Sequence, residues 1–340
     1  MGGTDVVSLL RSRLQPGLQV VERGGGQFVL GGIFAVVEVG PGGTQHGRSF
    51  TCIARSGENL LAGSRDGILR SADLGQTWWE SDEGLTERHV RSLAYDPKDP
   101  DLAFAGTEPA AILSSEDGGR TWREMPEVAA LRDENRWYLP YSPRAGAIRG
   151  LAFQGGRGYA AAEQGGMLRS DDGGRSWSMA EGSTGRVSGP LPDAHIHPDV
   201  HSVVIHPSSE DQVFAPTGGG LYYSANGGRS WDRLHDNYCR AVWVDPLRPA
   251  HLILGFADGP DRNGRIAESW NGGSSWLPVE EGLPVPMRDH MVERLVPIGD
   301  EILALLSNGQ ILIASLEGLA WRSILAPAFG ARDVAVVLED

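Results

Sequence analysis

The chain has 340 residues, with 44 acidic against 30 basic side chains, a formal net charge of -14 and a pI near 5.1. That balance sets a repulsive field in front of any polyanion, so no nucleic-acid partner is expected. Forty-seven glycines, 21 prolines and 10 tryptophans suit many short strands on tight turns and argue against long helices, so the class is all-β.

At the N-terminus, Arg11 and Arg13 interrupt the short apolar stretch of residues 1–17, unlike a secretory signal. A cytoplasmic location is expected. No run approaches the roughly 18 apolar residues of a membrane span, so no membrane partner is expected. Cys52 and Cys239 are too far apart in sequence to suggest a disulfide framework. Three strand-like runs follow, Leu18 to Glu22, Gln27 to Leu30 and Ile33 to Val39.

From residue 48 onward one pattern recurs. Ser71-Ala-Asp-Leu-Gly-Gln-Thr-Trp78 is matched by Ser115 to Trp122, Ser170 to Trp177, Ser224 to Trp231 and Ser269 to Trp276. Each reads Ser-x-Asp/Asn-x-Gly-x-Thr/Ser-Trp, a hairpin turn in which the Asp or Asn oxygen accepts nearby backbone N–H groups and glycine takes the positive-φ position. The tryptophans are separated by 44, 55, 54 and 45 residues, and a further 45 reaches Trp321, where Ser315-Leu-Glu-Gly-Leu-Ala-Trp321 is a shorter copy. Such a period marks a propeller or a solenoid.

Within one period, Val90 to Tyr95, Asp101 to Gly106, Ala111 to Ser115 and Trp122 to Met125 read as four strands, which is a propeller blade. Corresponding first strands begin at Thr51, Arg149, His201, Arg240 and Glu293, and Arg332 to Val337 is a seventh with no blade after it. The sequence therefore predicts a single β-propeller domain over 1–340, with an N-terminal segment and closing strands in 1–45, six blades in 46–329 and a closing strand in 330–340. Seven blades are favoured, the last sewn from both termini so that no sheet edge stays open. Six blades are the alternative if the N-terminal strands pack elsewhere.

The five turns resemble those of the Asp-box, or bacterial neuraminidase repeat, family. That family includes sialidases, xyloglucan-degrading enzymes, sortilin-type receptor propellers and a photosystem II assembly factor. The resemblance implies a propeller with its repeated turns on the face opposite the ligand site, and it leaves function open. Sialidases carry a Phe/Tyr-Arg-Ile-Pro stretch near the first blade. Here Gly47-Arg-Ser-Phe50 stands in its place, so sialidase activity is not expected.

Candidate chemistry lies in the loops that should converge at the channel mouth. Seven of the nine histidines fall near blade entrances, and His46, His89, His201 and His290 are the candidate ligands of a divalent transition metal, with Glu108 or Glu163 beside them. The densest cluster is His195-Ile-His197-Pro-Asp199-Val-His201, which Pro198 marks as a loop. Glu108, Glu163, Arg149 and Arg240 are the candidate catalytic residues, with the two arginines suited to a substrate anion. Pairing of Arg91, Arg149 and Arg240 with Asp96, Glu163 and Asp245 is the alternative. The insertion at 126–146 places Trp137, Tyr138, Tyr141 and Arg144 at the mouth as substrate-binding candidates, with Arg91.

The expected function is a ligand-binding propeller acting as a metal-assisted hydrolase or lyase on a small molecule or saccharide. A carboxylate-pair glycosidase, drawing on Asp66, Glu108, Glu163 and Asp258, and a non-catalytic protein- or peptide-binding scaffold are the alternatives. No nucleotide or organic cofactor is indicated, since the Gly-Gly pairs belong to turns and not to a phosphate loop.

Overall fold

The computed structural model describes residues 20–22, 27–30, 33–37, 50–75, 77–142, 145–185, 189–325 and 331–336. Strands β1 (Val20–Glu22), β2 (Gln27–Leu30) and β3 (Ile33–Val37) come first. Blade one follows as β4 (Phe50–Ser56), β5 (Asn59–Ser64), β6 (Gly67–Ser71) and β7 (Trp79–Glu80), and blade two as β8 (Val90–Tyr95), β9 (Ala103–Thr107), β10 (Ile112–Ser115) and β11 (Arg123–Glu124). Blade three is β12 (Ala147–Gln154), β13 (Arg157–Glu163), β14 (Gly166–Ser170) and β15 (Ser178–Met179). Blade four is β16 (Val204–His206), β17 (Ser209–Thr217), β18 (Gly220–Ser224) and β19 (Asp232–His235). Blade five is β20 (Tyr238–Val244), β21 (Leu252–Ala257), β22 (Arg265–Ser269) and β23 (Leu277–Val279). Blade six is β24 (Val292–Ile298), β25 (Glu301–Leu306), β26 (Ile311–Ser315) and β27 (Arg322–Leu325), and β28 (Ala331–Val336) ends the described chain.

Each blade is an antiparallel four-stranded meander, as the sequence predicts. Six are continuous in sequence, and a further sheet pairs β1, β2 and β3 with β28. The innermost strands touch in cyclic order, β4, β8, β12, β16, β20, β24 and then β28, which returns to β4. On β28 the buried Asp333 accepts the Ile53 N–H through Oδ2 and lies 3.6 Å from Arg294, so the terminal strand is tied to blades one and six.

The repeated turns explain themselves chemically. Ser115 Oγ donates to Asp117 Oδ1 and accepts the Gly119 N–H, while Asp117 accepts the N–H and hydroxyl of Thr121 at 3.0 and 2.7 Å. The same set recurs at Ser71/Asp73 and Ser170/Asp172, and at Ser224/Asn226 and Ser269/Asn271 the Asn amide donates to the hydroxyl instead of accepting from it. Burial works against the Asp117 carboxylate, but these donors override it and bring its pKa down to about 2. Trp122, Trp177 and Trp231 then bury between blades as anchors. Gly84, at φ +83, docks on Trp122, whose carbonyl oxygen would lie 2.0 Å from any added Cβ. Gly282 does the same at Trp321.

The 126–146 insertion is less open than expected. It begins with helix α1 (Pro126–Glu134), which has proline at its start, where the missing N–H costs nothing. Trp137 behind it is 2% exposed and packs with Val128, Ile148 and Trp177 in the core. Among the described residues no helix is long and apolar enough to cross a membrane.

Candidate functional site

The innermost strands share a defect that builds the site. In blade one Phe50 faces Ser64 and Cys52 faces Gly63, leaving Thr51 without a partner. The same one-residue slip falls at Arg91, Arg149, Arg240 and Glu293, and at position 332 of the terminal sheet. In blade four residues 201–203 face only 215–216, between the Val200–Thr217 bridge and the Val204–Phe214 pair. A bulge bends its strand and re-aims one side chain. Thr51, Arg91, Arg149, Arg240 and Glu293 all line a cavity of about 430 Å³ at the channel mouth.

The charges there are paired both within blades and across them. Arg91 meets Glu108 at 2.5 Å, with His89 Nδ1 3.6 Å from the same carboxylate. Arg149 lies 3.3 Å from Glu163 and 3.8 Å from Glu293, and Arg240 makes a short contact with Glu293. Burial opposes ionisation of Glu293, yet Arg240 and Arg149 overcome it and hold its carboxyl below the usual range. Burial likewise opposes charge on Arg149, and Glu163 and Glu293 restore it.

Beside this network stands His201, its side chain 1% exposed. Nδ1 lies 2.9 Å from the Cys239 carbonyl, which can only accept, so Nδ1 carries the proton. Nε2 then faces Tyr238 Oη and Asp199 Oδ2, both at 3.2 Å. Tyr238 accepts the Arg240 Nε–H at 3.0 Å, leaving its own hydroxyl to donate to Nε2. Burial raises the Tyr238 phenol to about 12 despite Arg240 and Arg149. Glu163, Asp199 and His201 each bring a ligand atom within 4.8 Å of the others, and Asp199 Oδ1 is buried with no hydrogen-bond partner.

Of the four candidate metal histidines, His201 alone joins this group. His46 lies outside the described residues. His89 sits with Glu108 on the mouth wall, and His290, whose pKa burial lowers, packs near Asp261 and Asp289. Neither belongs to a group of three ligands among the described residues. Glu108, Glu163, Arg149, Arg240, Arg91 and Tyr141 do converge at the mouth. Trp137 does not, because α1 buries it; Tyr138 lines neither mouth cavity, and Arg144 lies outside the described residues.

Of the expected ion partners only Glu163 is correct. Asp96 caps a turn at Lys98 and Asp99, and Asp245 binds Arg248 and the buried His251. Asp66 and Asp258 line neither mouth cavity: the Asp66 carbonyl accepts from Arg88, and Asp258 pairs with Arg265. The 195–201 stretch is a loop through His197, whose Nδ1 accepts the Asp199 N–H. Asp199, Tyr238, Glu293 and Arg65 are site residues that sequence reasoning did not assign. Asp199 had a signal, its alternation with His201.

No family model and no curated protein matches the chain. Solved structures do. An ancestral GH74 enzyme aligns at 18% identity and a TM-score of 0.62, covering 80% of this chain and 38% of that one. The GH74 enzyme of Niastella koreensis aligns at 17% and 0.57, covering 82% and 47%. This chain thus spans less than half the length of those enzymes. YCF48 bound to D1 peptide aligns at 15% and 0.55, covering 89% and 93%. At such identities the likeness shows a shared β-propeller fold.

Proposed function

We propose that the chain is a ligand-binding propeller of the Asp-box kind that works at its channel mouth as a metal-assisted hydrolase or lyase on a small molecule or saccharide. The observation that carries this reading is the meeting of Glu163, Asp199 and His201 from blades three and four. His201 Nε2 and an Asp199 carboxylate oxygen face each other at 3.2 Å, an opposition that a cation between them would relieve once the Tyr238 hydroxyl turned aside, and the orphaned Asp199 Oδ1 offers a further ligand atom. The Cys239 carbonyl fixes the ring as an outer-shell partner of a ligating histidine does. A divalent ion held there would polarise a ligand oxygen or lower the pKa of a bound water. Arg149 and Arg240, already engaged by Glu163 and Glu293, position those carboxylates.

Plasma mass spectrometry on the tag-free chain, after incubation with Zn²⁺, Mn²⁺, Fe²⁺ or Ni²⁺, tests the reading. We expect near-stoichiometric uptake that is lost in His201→Ala and Asp199→Asn while both variants keep the wild-type circular dichroism. No uptake of any of the four overturns it. A scaffold reading then moves forward, favoured by the near-complete length match to a propeller that holds a peptide.

A further inference from the structure

The mouth does not stop at the ring of bulge residues. Its cavity shares Arg65, His89, Arg91 and Tyr141 with a second chamber of about 640 Å³ that reaches outward over the Thr86–Arg88 loop. Each chamber falls in the size range that holds a small ligand, and together they form one trough. Along it the arginines differ. Arg88 is held by Asp82, Arg91 by Glu108, Arg149 by Glu163 and Glu293, and Arg240 by Glu293. Arg65, exposed on the turn between β5 and β6, meets no carboxylate among the described residues. It stands where the two chambers join.

Resting on the reading of the mouth as a ligand site, we propose that the trough takes an oligosaccharide carrying one acidic sugar, with the carboxylate on Arg65 and a sugar in each chamber. A guanidinium fork suits a carboxylate, and Tyr141, 60% exposed at the junction, offers a ring face to a sugar. No aliphatic side chain lines the outer chamber, so a peptide finds no pocket there for its apolar residues. The net charge of -14 disfavours a polyanion, which limits the ligand to few charges.

Titration calorimetry of the full chain with cellobiouronic acid and glucuronosyl-xylobiose, each beside its carboxyl-reduced counterpart, tests this, with triglutamate as the peptide arm. We expect at least one acidic probe to bind tenfold or more tighter than its reduced form. Arg65→Gln should erase that preference, and Arg65→Lys should keep part of it. Equal binding of acidic and reduced forms, an intact preference in Arg65→Gln, tighter binding of triglutamate, or no binding by any probe overturns the inference. Metal uptake measured on the same samples separates the two readings: uptake without saccharide binding removes this inference alone, and saccharide binding without uptake removes the metal.

Discussion

The two faces of the propeller solve the same problem, satisfying polar groups, at different ranges along the chain. In the box turns Asp117 finds its donors within four residues, so each turn is a self-contained unit that can be copied. At the mouth Arg240 finds Glu293 53 residues away, and that one carboxylate joins blades three, five and six. Local satisfaction makes a repeat, and nonlocal satisfaction makes a site.

Four substitutions press on that contrast, from the largest effect to the smallest. Trp122→Ala removes a buried anchor between blades one and two and should cost about 3–5 kcal/mol, read by urea denaturation. An effect below about 1 kcal/mol would mean that the turns alone hold the blades. Glu293→Gln leaves Arg149 and Arg240 without their shared carboxylate and should cost on the order of 2–4 kcal/mol. Because the Glu293 pKa is depressed in the fold, its stabilisation is present above the unfolded carboxyl pKa of about 4.3 and fades as pH falls through the folded value. The variant should therefore lose less stability than wild type on acidification below about pH 4, and parallel acid titrations by circular dichroism would show it.

Asp117→Ala should cost about 1–2 kcal/mol by orphaning turn donors, whereas Asp117→Asn should cost less, since Asn226 and Asn271 accept the equivalent backbone N–H in blades four and five and donate to the hydroxyl in place of accepting from it. Equal losses for the two would show that charge and not geometry stabilises the turn. The first turn alone places a leucine where the others have glycine, Leu74 at φ +52 against Gly118 at +71 and Gly173 at +74. Leu74→Gly relieves that conformation but loses the packing of Leu74 in blade one, so the gain should stay under about 1 kcal/mol, read by urea denaturation.

The same contrast decides what the sequence could reveal. The turns were legible because Ser, Asp, Gly and Trp at fixed spacing carry their whole physics within eight residues. The arginines at blade entrances were legible as residues, but of their partners only Glu163 was, since a period-two strand pattern does not show a one-residue bulge or say which side chain faces across the channel. Trp137 misled for a related reason: an aromatic in an insertion resembles a binding residue until a helix of modest amphipathicity folds over it. His201 and Glu163 could be named as metal candidates, yet Asp199 needed the fold, because the loop at Pro198 turns it onto the ring two residues later.

The bulges have an evolutionary meaning. Each is a single surplus residue inside an otherwise regular ladder, so its identity can change without disturbing the pairing on either side. Threonine, arginine and glutamate already occupy equivalent slots at 51, 91, 149, 240 and 293. The ring thus presents different side chains around one opening on a shared backbone, and a change of ligand preference there needs the ion pairs among those slots rewritten together, not the ladders beside them.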